Sequence, residues 1–253
     1  MLDRSSSAFL LASLLAACTP GEAALGQDEM SGRRTSPRSR KITVDPSEIV
    51  SGGPPKDGIP AIDEPRFVSV RAADRFLDGN EPLAVVRRNG QTRAYPIQIL
   101  IWHEIVNDVV GGDPVTVTYC PLCNTTLAFD RRFEGRLLDF GTTGRLRHSD
   151  MVMYDRQTET WWQQATGEGI VSELAGKQLT FIPAPVMRWS DVKQQLPGDD
   201  GAYRDQETGS LWNFAGVATE CELVGTQLRE VPHGHHFWFA WAVFRPKTKV
   251  WGI

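Results

Sequence analysis

Beyond about residue 64, apolar and polar positions switch over short periods, which predicts strands rather than long helices. Leu83 to Arg88 and Gln91 to Tyr95 flank Asn89-Gly90, two residues that accept positive φ, so the stretch predicts a hairpin with a two-residue turn. Pro96 opens Ile97 to Val106, where apolar residues fall every three or four positions, and this predicts a short helix ended by Asn107-Asp108. Such a helix would carry His103 and Asn107 on one face. Val115 to Tyr119 and Thr125 to Phe129 read as strands, so Cys120-Pro121-Leu122-Cys123 should form the turn between them. Further strands are expected at Leu137 to Phe140, Met151 to Tyr154, Gln178 to Ile182 and Phe237 to Phe244. The expected fold is mainly β with a few short helices, a β-rich α+β body.

A spaced pattern recurs within residues 155–183 and 205–232. Asp155, Thr158, Trp162, Leu174, Gly176, Leu179 and Pro183 return as Asp205, Thr208, Trp212, Leu223, Gly225, Leu228 and Pro232. The reading is a duplicated β unit of about 50 residues that packs against its copy, because one such unit cannot bury its apolar face alone. The two Trp are then core residues rather than a ligand cage.

The first residues carry an address. Arg4 precedes the apolar run Ala8 to Ala17, which is half of a membrane span and has the layout of a secretory signal. Leu15-Ala16-Ala17-Cys18 resembles the bacterial lipobox, which implies a signal peptide over 1–17, acylation of Cys18 and a lipoprotein on the extracytoplasmic, periplasmic face of the cell envelope. Several acyl chains on one Cys hold a protein at a membrane, since each buried CH₂ contributes about 0.8 kcal/mol. Residues 18–63 are rich in Gly, Ser, Pro and Arg and read as a disordered tether, which leaves 64–253 as a single β-rich domain. Lys+Arg 27 against Asp+Glu 31 gives a net charge of -4, which offers no field to recruit nucleic acid.

With Cys18 acylated, Cys120, Cys123 and Cys221 remain, an odd number for a compartment that oxidises thiols. A Cys120–Cys123 disulfide would close so short a loop that it contributes about 2 kcal/mol, against about 10 kcal/mol or more for a closed zinc site. Metal binding and thiol exchange are therefore better reasons for the pair than stapling. For exchange, the pair lacks a helix start behind it and the βαβ alternation of thioredoxin-like folds. For a metal, the C-P-L-C turn points two sulfurs at one ion, Asn124 suits a left-handed position, and the remaining ligands must come from His103, His148, His233, His235 and His236. Thiolate with imidazole suits copper or zinc.

The runs W-H-E-I-V-N-D at Trp102 to Asp108, T-Y-C-P-L-C at Thr118 to Cys123, M-Y-D-R at Met153 to Arg156 and P-H-x-x-x-F-W-F-A-W from Pro232 to Trp241 resemble the bacterial "domain of unknown function" family numbered 3179. The resemblance covers about Pro65 to Lys249 and implies a common site rather than a reaction. It carries over His103, Glu104, Asn107, Asp108, Cys120, Cys123 and His233. It demotes His148, His235 and His236, and it makes Cys120 the more necessary thiol, because some relatives carry Thr at the second cysteine.

The expected site joins Cys120, His103 and His233, with Cys123 as fourth ligand or resolving thiol and Glu104, Asn107 or Asp108 orienting the ligands. Three classes of function stay open. The first is a tethered copper or zinc or electron-transfer protein with a redox or metal-donor partner. The second is an enzyme using Cys120 as catalytic thiol. The third is a non-catalytic scaffold.

Overall fold

The Asn89-Gly90 turn forms as its residues require: in a computed structural model of the chain, Asn89 (φ 48°) and Gly90 (φ 78°) both take the positive φ of a two-residue hairpin turn. The structure describes residues 41–194, 202–204, 208–213, 216–229 and 235–248, which belong to the unit Ser39–Ile253. In chain order the first elements are β1 (Ile49–Ser51), α1 (Val70–Ala73), β2 (Pro82–Arg88), β3 (Gln91–Pro96), α2 (Ile97–His103), β4 (Ile105–Val110), β5 (Asp113–Cys120) and β6 (Thr125–Asp130). There follow β7 (Arg132–Phe133), β8 (Arg136–Leu137), β9 (Phe140–Arg147), β10 (Asp150–Asp155), β11 (Trp161–Gln163) and β12 (Glu168–Val171). The last are β13 (Phe181–Ile182), β14 (Val186–Arg188), α3 (Trp189–Gln194), β15 (Ala202–Arg204), β16 (Leu211–Asn213), β17 (Ala218–Glu220) and α4 (Trp238–Phe244). The fold is mainly β, built of antiparallel sheets with short helices.

The sheet ordered β13-β6-β5-β4 lies at the centre. Its strands are buried along nearly their whole length because both faces are covered. Side chains alternate between the faces. Val115, Val117, Tyr119 and Ala128 pack with Val86, Tyr95 and Leu100 of the β14-β2-β3 sheet and α2. On the opposite face Cys120, Leu127 and Phe129 join Phe140, Met153 and Trp162 of the sheet ordered β1-β9-β10-β11-β12. The register Cys120↔Thr125 and Thr118↔Leu127 thus sends the Cys120 sulfur toward β9 and β10.

Two elements differ from the sequence expectation. The helix expected over Ile97 to Val106 stops at His103, and Ile105-Val106-Asn107-Asp108-Val109-Val110 pairs with β5 instead. Four of those six residues are β-branched, and Glu104 in a left-handed conformation (φ 58°) makes the corner. Asn107 therefore does not share a helix face with His103. The expected strand Phe237 to Phe244 is α4. An unbroken apolar run has no period of its own to choose between helix and strand, and here only its Ala240 is fully buried. The strand expected over Gln178 to Ile182 shortens to β13, with Gln178 bridging Glu168, and Leu137 to Phe140 is divided between β8 and β9.

Residues 41–63, which composition assigned to the tether, contact the body at several points: Ile42 bridges Val171, β1 pairs with β9, and Ile62 lies parallel to Val106. Short apolar positions in a polar stretch suffice to dock it. The two segments with matched sequence share detailed geometry. Leu179 N–H donates to Gly167 at 2.9 Å and Leu228 N–H to Gly216 at 2.7 Å. Likewise Gly176 donates to Gly169 at 2.7 Å, and Gly225 to Ala218 at 2.8 Å. Trp162 and Trp212 are both buried. Asp205 and Pro232 lie outside the described residues.

Candidate metal centre

Three tight corners converge on the Cys120 end of β5. The first is the Cys-Pro-Leu-Cys turn itself, closed by Asn124 in the left-handed region (φ 50°), whose side-chain oxygen accepts from the Tyr119 hydroxyl at 3.1 Å. The second is the turn between β9 and β10, where His148 (φ 54°) and Ser149 (φ 63°) both adopt positive φ without a glycine. That turn sets Asp150 at the first position of β10 and brings the Ser149 carbonyl to 3.8 Å from Cys120 Sγ. The third is Glu104, whose carbonyl accepts from Tyr119 N–H at 2.7 Å. The strained backbone at these corners is what aims the groups inward.

Cys120 Sγ, Cys123 Sγ and a carboxylate oxygen of Asp150 all lie within 4.8 Å of one another, and both cysteines are free thiols. All three residues are buried, with Cys120 at 1% exposure and Cys123 and Asp150 at 0%. The Cys123 thiol donates to Asp150 Oδ1 at 3.2 Å, and Asp150 Oδ2 accepts from Gln163 Nε2 at 2.6 Å and from Ala165 N–H at 2.9 Å. Thr125 Oγ1 sits 2.9 Å from Cys123 Sγ and 2.9 Å from His236 Nδ1. The His236 segment is held across the cysteine turn by Phe237 N–H donating to the Cys123 carbonyl at 2.9 Å.

The electrostatics are those of crowded acids. Burial pushes the Asp150 carboxyl up to about 6 against the pull of its hydrogen-bond donors. Burial, followed by the charge of Asp150, pushes Glu104 up to about 7. The hydrogen bond with Cys120, then burial and the Asp150 charge, drive the Cys123 thiol upward. Burial lowers His236 to about 4, helped by His235 and Arg245, so its imidazole is neutral at physiological pH. Each acid would lose its proton more readily with a cation between them.

The structure brings together Cys120 and Cys123 of the expected set, with Glu104 beside Asp150. His103 stands apart: its Nδ1 is 2.8 Å from the Pro60 carbonyl, and it belongs to no group of three clustered donors among the described residues. His233 lies outside the described residues. Asn107 is buried and ties β4 to β9 through Phe140, donating to its carbonyl at 2.9 Å and accepting from its N–H at 3.1 Å. Asp108 accepts from the Tyr95 hydroxyl at 2.7 Å. Sequence reading missed Asp150, although a carboxylate opening the apolar strand Asp150-Met151-Val152-Met153-Tyr154 is a signal in itself.

Fold and site together define a β-rich body with a buried dithiol–carboxylate cluster. The chain belongs to the family described as "Protein of unknown function (DUF3179)", whose model matches residues 56–202 and 200–248. No curated protein and no solved structure matches the chain.

Proposed function

We propose that this chain is a metal-binding protein that holds one divalent transition ion, zinc before copper, between Cys120 Sγ, Cys123 Sγ and Asp150, at a membrane to which acylated Cys18 anchors it. The observation that carries this reading is the meeting of three ligand-type atoms within 4.8 Å in a buried place with no cation paired to them among the described residues. Two thiols and a carboxylate form a donor set suited to tetrahedral zinc, leaving a fourth position for solvent or for His236, one hydroxyl away. The copper electron-transfer set of two imidazoles and one thiolate fits these residues less well. Burial of both sulfurs and the raised Cys123 thiol also weigh against a substrate-facing nucleophile.

Metal entry releases protons from the thiols and Asp150, so affinity rises with pH. Gln163 and Ala165 hold the second Asp150 oxygen and so orient the first toward the sulfurs. The test is competition of the reduced full chain with a chromogenic chelator for Zn²⁺. One equivalent should be taken up by the native chain and by His103→Ala, and lost with Cys120→Ser, Cys123→Ser or Asp150→Asn. Absence of uptake, or uptake indifferent to the sulfur substitutions, rejects the reading.

A further inference from the structure

A separate cavity of about 320 Å³ opens among α1, the β2–β3 hairpin, α2 and α3, at the lower end of the range for small-molecule sites. Its walls are apolar, with Phe67, Leu77, Leu100 and Trp189 among them, and no Asp or Glu lines it among the described residues. Two guanidinium groups, Arg66 and Arg93, supply its charge. Arg93 lies over the Phe67 ring at 4.0 Å, and its Nε is buried with no hydrogen-bond partner. Among the described residues neither arginine has a carboxylate partner, whereas Arg88, Arg131, Arg132 and Arg147 each have one. A buried donor left unsatisfied is costly and calls for an explanation.

We propose that this cavity binds a single-chain amphipathic anion, a medium-chain fatty carboxylate such as dodecanoate, with its tail among the apolar walls and its head group on Arg93 and Arg66. A planar guanidinium matches a carboxylate through paired N–H donors, and the apolar wall matches a hydrocarbon chain. The site is independent of the cysteine cluster, so the two readings stand or fall separately.

Isothermal titration of dodecanoate into the exported chain carrying Cys18→Ser, which needs neither acyl group nor detergent, tests this. Saturable binding of one equivalent is expected, weakened at least about tenfold by Arg93→Gln. Val70→Trp, on the exposed rim of α1, should abolish it by filling the mouth, with the circular dichroism of both variants native. Dodecylammonium should not bind. The proposal is overturned by absence of saturable binding, by equal affinity for the ammonium, or by native affinity in either variant. Zn²⁺ uptake should be unaltered in Arg93→Gln.

Discussion

Replacing the buried carboxyl at the centre of the cluster makes a quantitative test. In the folded chain Asp150 titrates near 6 against an ordinary value of 3.8, a difference of about 2 units, and each unit corresponds to about 1.4 kcal/mol. The folded state therefore keeps a proton on Asp150 that the unfolded chain releases. Its contribution is intact below pH 3.8 and is lost as pH rises through 6, for a total of about 3 kcal/mol. His236 works in the opposite sense over an overlapping range, because its lowered value makes the folded state shed a proton that the unfolded chain retains until about 6.5. The native pH profile alone thus mixes the two, with Glu104 adding to the Asp150 sign up to about 7. The difference between native and Asp150→Asn chains cancels His236 and reports the carboxyl together with the part of the Glu104 rise that its charge causes, which has the same sign. In urea unfolding with chelator and reductant at pH 4, 5, 6 and 7, Asp150→Asn should gain about 2.4 kcal/mol of that total on the native chain from the lowest to the highest pH, since part of the change already falls below pH 4. A difference that stays flat, or a variant that loses ground as pH rises, refutes the assignment of Asp150 as a desolvated acid.

Other outcomes follow from the same geometry. Asn107→Ala strands the N–H and carbonyl of Phe140 in the core and should cost about 2 to 5 kcal/mol by urea unfolding, with Zn²⁺ stoichiometry kept in the folded fraction. A loss under about 1 kcal/mol contradicts the tie between β4 and β9. Trp162→Ala removes a fully buried ring whose Nε1 donates to Asp155 at 2.9 Å and should cost about 3 to 5 kcal/mol by the same assay. Addition of Zn²⁺ at a hundred times its dissociation constant should stabilise the native chain by about 2.7 kcal/mol at pH 7 and leave Cys123→Ser unchanged in a thermal melt.

The parts of this fold set by neighbouring residues were legible. Asn89-Gly90 dictates its own hairpin, and the β-branched run into Cys120, followed by another strand, places the cysteine turn at a sheet end. The corner at Glu104 was not legible, because a non-glycine residue in a left-handed conformation leaves no mark in composition. Apolar spacing alone carried the helix past it. The run after Phe237 failed for a related reason, since eight consecutive apolar residues suit either period. At the site, Cys120 and Cys123 announce themselves by spacing, while Asp150 reaches them through the pairing of β9 with β10 and a turn of two residues with positive φ. That juxtaposition is a property of register between distant strands. His103 drew notice as a histidine beside an acid, yet its ring serves the Pro60 carbonyl.

The most direct measurement is X-ray absorption at the zinc edge of the loaded, reduced full chain. Two sulfur atoms at about 2.3 Å and two lighter atoms at about 2.0 to 2.2 Å are expected, falling to one sulfur in Cys120→Ser if any metal stays bound. A shell of nitrogen and oxygen alone would contradict the dithiol–carboxylate centre.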